Sequence, residues 1–182
     1  LLALDQYKPL VTYDNLNELK KIKAFAPHAG VVLRLRVPNT GSMVELSSKF
    51  GCDPGEAVDL VLAAFKMGLV VEGLSFHVGS QCLNPANWEN AIAACGDVWR
   101  EAEARGFDMH FLDLGGGFPA GSYHTEDIPT IEEIGEVVHW LLTTDDEDKR
   151  LLEKAAALNP ALERWALLKA LAARFPHGAR GA

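Results

Sequence analysis

An α/β fold built on a parallel sheet is predicted by this 182-residue sequence, and two observations carry the prediction. Short β-branched or apolar runs alternate with segments of helical periodicity 10 to 20 residues long. No hairpin signal joins any two consecutive runs. Strands separated by helices imply right-handed crossovers onto a parallel sheet, as in part of a (β/α)8 barrel or an open doubly wound sheet. About four βα units occupy residues 1–142, and residues 143–182 follow as a helical tail.

"LVTYD" (Leu10 to Asp14) reads as the first strand, and Leu16, Leu19, Ile22 and Phe25 give the next segment helical spacing with Asn15 as its cap. "GVVLRLRV" (Gly30 to Val37) is the second strand. The polar loop "PNTGSMVELSSKFGCD" leads into "PGEAVDLVLAAFKMG", a helix with Asp53 as N-cap and Pro54 at its first position. "LVVEGLSFHV" (Leu69 to Val78) is the third strand, and a long helix runs from about Pro85 to Ala104. "MHFLDL" (Met109 to Leu114) is the fourth strand and breaks into three glycines. A helix begins at Ile131. After Leu142 a charge run and two helical patterns split by Asn159-Pro160 supply no further strand.

Composition sets outer limits. Hydrophobic residues at 48% and charged residues at 23% are ordinary for a soluble globular chain. A formal charge of −8 argues against non-specific binding to nucleic acid or anionic membrane. No apolar run approaches the ~20 residues of a membrane span. "LLALDQYKPL" lacks the pattern of a signal peptide, and the missing initiator methionine fits a fragment. Cys52, Cys82 and Cys95 are too few and too irregular for a disulfide framework or a zinc site, which favours a reducing cytoplasm.

The chemistry concentrates at two strand ends. The glycines of "FLDLGGGFPA" match neither the dinucleotide fingerprint nor a Walker A loop, which leaves a structural turn and an anion-binding turn as alternatives. "LSFHVGSQC" puts His77 and Ser80 at the end of the preceding strand. Successive parallel strands lie side by side, and parallel α/β folds bind ligands at the carboxyl ends of strands. His77, Ser80 and Gly115, Gly116 and Gly117 are therefore expected on one pocket rim. There the hydroxyl and glycine amides suit a phosphate, and the imidazole offers a flat face or a proton.

"SFHVGSQC" followed by "FLDLGGGFP" resembles the fold type III pyridoxal-phosphate decarboxylases, which act on ornithine, lysine, arginine or diaminopimelate. "VPNTGSMVELSSKFG" and the "GGGFP" ending look like the bacterial ornithine/lysine branch. The resemblance runs from about Leu10 to Pro119, loosely to Leu142, and implies part of an alanine-racemase-like TIM-type barrel. It further implies pyridoxal 5'-phosphate as cofactor, with His77 stacked on its ring as the catalytic residue. Ser80 would hydrogen-bond the phosphate, and the amides of Gly115 to Gly117 would hold its oxygens. The implied reaction is decarboxylation of lysine or ornithine to cadaverine or putrescine in polyamine biosynthesis, by a cytoplasmic homodimer acting on a free amino acid.

Departures from that pattern define a second set of expectations. No "YAVK"-like motif supplies the lysine that anchors the cofactor, no "EPGR" supplies the glutamate for its ring nitrogen, and the partner-donated cysteine–aspartate segment is absent. Lys49 in "SSKFG" belongs to a different motif and is not assigned the anchoring role. Glu45 stands where eukaryotic ornithine decarboxylases carry an arginine. These 182 residues alone are therefore expected to be inactive. A non-catalytic binding relative, like the antizyme inhibitors, and an unrelated phosphate-binding barrel are the alternatives.

Other candidates have plainer readings. "YHTED" (Tyr123 to Asp127) is read as a loop with caps for the helix at Ile131 rather than a metal site. Arg34 and Arg36 share a strand face, either in an interior ion pair or at a solvated edge. Asp113 is a supporting carboxylate, and Trp88, Trp99 and Trp140 are expected to fill helix–sheet packing.

Overall fold

The computed structural model of the protein describes residues 7–44, 46–120 and 129–143, together with Ala166 and Lys169. Four strands, β1 (Leu10–Tyr13), β2 (Gly30–Arg34), β3 (Val70–Ser75) and β4 (Phe111–Asp113), form one sheet in the order β1-β2-β3-β4. All three pairings are parallel. Helices α1 (Leu16–Phe25), α2 (Pro54–Lys66) and α3 (Ala86–Ala104) are the crossovers, and α4 (Ile131–Thr143) follows β4. Spatial order equals chain order, as in a barrel. A doubly wound sheet would reverse direction at a switch point.

Local chemistry accounts for the helix starts. Asn15 Oδ1 accepts from the Glu18 N–H at 3.0 Å, and Asp53 Oδ1 accepts from the Gly55 N–H at 2.9 Å. The cap of α4 is Thr130: its hydroxyl accepts from the Glu133 N–H at 3.2 Å, while Glu133 Oε2 accepts from the Thr130 N–H at 2.9 Å. This reciprocal pair is a capping box, and it replaces the caps expected from Tyr123 to Asp127. That segment and Glu45 lie outside the described residues, as does the tail apart from Ala166 and Lys169. Lys169 Nζ pairs with Glu133, whose carboxyl is held below its usual range by that contact.

The strands are shorter than their apolar runs. β2 stops at Arg34 because the loop after it takes over the ladder on one side: the Cys52 N–H donates to the Arg34 carbonyl at 3.0 Å and the Arg36 N–H to the Cys52 carbonyl at 2.8 Å. Gly51 makes that loop possible. Its φ is +91°, and a Cβ there would stand 2.6 Å from the Arg36 nitrogen. In β3 the register jumps, Val31 pairing with Val71 but Val32 with Gly73, so Glu72 is an extra, bulged residue. The bulge lets Val71 and Leu74, three apart in sequence, both pack on the helix-covered face.

That face forms the core. Val31, Leu33 and Leu74 pack with Leu19 and Ile22 of α1, Val58 and Val61 of α2, Trp88 and Val98 of α3, and Ile134 and Trp140 of α4. Trp88 and Trp140 are fully buried as expected, and Trp99 packs against the same core while half-buried, donating through Nε1 to Glu103 at 2.9 Å. Cys52, Cys82 and Cys95 are buried and free. Burial pushes the Cys52 and Cys95 thiols up to about 12 and raises that of Cys82. Among the described residues no helix is long and apolar enough to cross a membrane, and no cluster of three metal-ligating side chains exists.

Gly73 fixes the spacing of the last strand pair. A Cβ at this position would lie 1.7 Å from the Phe111 carbonyl oxygen, a backbone atom that cannot swing away. Gly73→Ala is expected to cost about 1–3 kcal/mol through this overlap. Urea unfolding checks the figure, and an unchanged midpoint would show that β3 and β4 part freely.

Candidate functional site

Alternation along the strands sets the site on the face opposite the helices. Arg34, Ser75 and Asp113 are direct register partners across β2, β3 and β4, at the carboxyl ends of all three. Their side chains alternate with Leu33, Leu74 and Leu112, which face the core. Ser75 Oγ donates to Asp113 Oδ2 at 2.9 Å. Arg34 is half-buried with its guanidinium carbon 5.1 Å from the centre of the Phe50 ring, and Arg36 donates to the Gly51 carbonyl at 3.3 Å. The two arginines thus have different partners, a ring and a backbone carbonyl.

Beyond the strand ends the chain continues as two close-packed segments, Phe76–Cys82 and Leu114–Ala120. The Phe76 N–H donates to the Asp113 carbonyl at 3.1 Å, and the Cys82 N–H to the Gly117 carbonyl at 2.8 Å. Gln81 Oε1 accepts from the Ala120 N–H at 2.8 Å. Gly115 and Gly117 have φ of +66° and +104°. A Cβ on Gly115 would meet the Phe76 carbonyl oxygen at 2.2 Å, and one on Gly117 the Gly79 carbonyl oxygen at 2.0 Å. Handedness and space both require glycine at these two positions. Phe118 then stacks on Trp88 with ring centres 5.4 Å apart, which pins the turn to α3.

The structure brings His77, Ser80 and the glycines together. His77 Nδ1 accepts from the Gly79 N–H at 3.0 Å, so the neutral ring carries its proton on Nε2. Nε2 faces Gly116, where a Cβ would come within 3.4 Å of it. Burial lowers the proton affinity of His77, Arg34 lowers it further, and Asp113 opposes both. Gly115 differs from its two neighbours because its N–H already donates to Asp113 Oδ1 at 2.8 Å. Gly116 and Gly117 keep N–H groups with no hydrogen-bond acceptor among the described residues.

One support had no sequence signal. Ser80 forms an antiparallel bridge with Val44: the Ser80 N–H donates to the Val44 carbonyl at 3.2 Å and the Met43 N–H to the Ser80 carbonyl at 2.9 Å. Ser42 packs into the space that a side chain on Gly79 would fill. Asn87 on α3 donates to the Thr40 carbonyl at 3.1 Å and closes the loop over Cys82. The polar loop therefore props the serine, with pairings some 36 residues apart in sequence that no local pattern announces. Lys49 lies exposed in a turn of the same loop.

Parallel βα units with a glycine turn at the carboxyl ends of their strands define a class, the barrel-type α/β proteins that take ligands at that rim. Residues 2–153 match the family described as pyridoxal-dependent decarboxylase, pyridoxal binding domain, and the chain belongs to it. Its relatives include ornithine decarboxylase of Caenorhabditis elegans, 35% identical over 153 residues, covering 82% of this chain and 35% of that protein. Lysine/ornithine decarboxylase of Selenomonas ruminantium is 42% identical over 108 residues, covering 59% and 28%. The crystal structure of lysine decarboxylase from Selenomonas ruminantium superposes with a TM-score of 0.68 at 34% identity, over 78% of this chain and 37% of that one. The chain thus spans about a third of the length of these proteins, and the four strands are part of the family's TIM barrel.

The charge balance at His77 is open to measurement. Its NMR titration midpoint is expected below the ordinary 6.5, rising in Arg34→Ala and falling further in Asp113→Asn. The unfolded chain binds the proton more readily, so this histidine costs the fold stability as pH drops below about 6.5. A midpoint at or above 6.5 in the native chain would contradict the half-buried placement within the field of Arg34.

Proposed function

We propose that this chain is the pyridoxal-phosphate-binding part of a decarboxylase acting on a basic amino acid, lysine or ornithine. The single observation that carries this reading is the neutral His77 ring beside two glycine amides that have no acceptor among the described residues. The fit to the cofactor is chemical. A phosphate monoester needs several donors in a space without side chains, and Gly116, Gly117 and the Ser80 hydroxyl offer them. A flat heteroaromatic ring needs an uncharged flat neighbour, and the imidazole offers that.

In this reading Ser80 and the amides of Gly116 and Gly117 bind and orient the phosphate. Gly115 contributes through the turn, since its amide is committed to Asp113. His77 covers one face of the ring, excludes water from it and stays neutral because burial and Arg34 disfavour its protonation. The bound cofactor supplies an electron-poor ring that takes up the electron pair left when carbon dioxide departs. Solved structures of lysine/ornithine decarboxylase from Vibrio vulnificus hold putrescine and cadaverine, which supports diamines as products here. The longer protein would work as a cytoplasmic homodimer on a free amino acid.

Two measurements test the proposal. The 182-residue chain is expected to bind pyridoxal phosphate in equilibrium dialysis, and Ser80→Ala to weaken binding about tenfold, the worth of one hydrogen bond to a charged group. Unaltered affinity in that variant would remove Ser80 from the site. The same chain is expected to release no carbon dioxide from lysine or ornithine, because it has neither a "YAVK"-like nor an "EPGR" motif. Measurable release would mean that another residue supplies the anchoring amine.

A further inference from the structure

We propose that Asp113 is the positioning residue of the phosphate grip, acting through the glycine turn without touching the ligand; this rests on the function proposed above. Its Oδ1 accepts from the Gly115 N–H at 2.8 Å, two residues ahead, closing an Asx-type turn. Its Oδ2 accepts from the Ser75 hydroxyl at 2.9 Å, on the neighbouring strand. The first bond selects the left-handed φ of +66° at Gly115 from the many conformations open to three consecutive glycines. The second stops the carboxylate from rotating about its own side-chain bond. With both oxygens engaged, Gly115 is spent as a donor, and the next two amides are left for a ligand.

A carboxylate beside an anion site is electrostatically costly, which makes the choice of aspartate informative. Both of its bonds are charge-assisted and so stronger than those of a neutral acceptor. Arg34 stands in the same register row, two strands away at roughly 10 Å, and supplies the compensating positive charge on that face. The row Arg34–Ser75–Asp113 is thus a cation, a hydroxyl relay and an anion laid across three strand ends. The ligand-facing groups His77, Ser80, Gly116 and Gly117 all lie in the loops immediately beyond that row.

The test is a binding series on the 182-residue chain with two probes, pyridoxal phosphate and inorganic phosphate. Asp113→Ala is expected to weaken both by about tenfold or more, while Asp113→Asn, whose amide oxygen and nitrogen can keep both bonds, recovers most of the loss. Ser75→Ala, which frees the carboxylate but leaves the turn bond, is expected to fall between them. The amide NMR signals of Gly115 to Gly117 should disperse into several states in Asp113→Ala and remain single in Asp113→Asn. Failure of the native chain to bind either probe would refute the proposed function itself. Native binding with undiminished affinity in Asp113→Ala would overturn the positioning role alone. Equal loss in the Asn and Ala variants would overturn the hydrogen-bonding account. Should Asp113→Ala not fold, undiminished affinity in Ser75→Ala overturns the role just as firmly.

Discussion

The fold turns on one seam where two backbones approach more closely than any side chain allows. Along β3 and β4 and into the loops beyond, the positions that a Cβ would take at Gly73, Gly115 and Gly117 are occupied by carbonyl oxygens of Phe111, Phe76 and Gly79. Removing side chains from one line of contact brings the two segments together as bare main chain. The carboxyl-end rim follows from that closeness. His77 can stand against Gly116 only because no side chain projects between them.

Electrostatics then sets the character of that rim. The site borrows no full positive charge from a lysine at the glycine turn; its polarity comes from amide dipoles and a hydroxyl. The arginine acts at a remove, biasing a histidine toward its neutral form while offsetting a carboxylate in its own row. An imidazolium would serve poorly beside an electron-poor ring, so the preference for neutrality and the proposed chemistry point the same way.

Much of this was legible in the sequence, and the rest was hidden for identifiable reasons. Alternating periodicities located all four strands and their helices, and Asn15, Asp53 and Pro54 stand where capping rules put them. The chain order of the strands separated barrel from doubly wound sheet, a distinction that requires coordinates because both share one local pattern. The bulge at Glu72 escaped because its cause is the partner strand's register. The Thr130–Glu133 capping box is a Thr-x-x-Glu pattern, obscured in the sequence by the acidic loop that precedes it. Of the candidate site, the placement of His77, Ser80 and the glycines at neighbouring strand ends was legible, but which glycine amide pairs with Asp113 was not. It depends on where one aspartate points, and the prop that Ser42 to Val44 give Ser80 depends on pairings far apart in sequence.

The three hidden thiols have a practical consequence. Each is protonated and shielded at neutral pH, so in the intact protein none is a ready nucleophile for an oxidant or alkylating reagent. They sit in different neighbourhoods: Cys52 within the loop that caps β2, Cys82 under the glycine turn, and Cys95 in the middle of α3. Reaction at each therefore clocks the opening of one region, and a mass-resolved labelling time course would rank the rim loops against the core without introducing any probe.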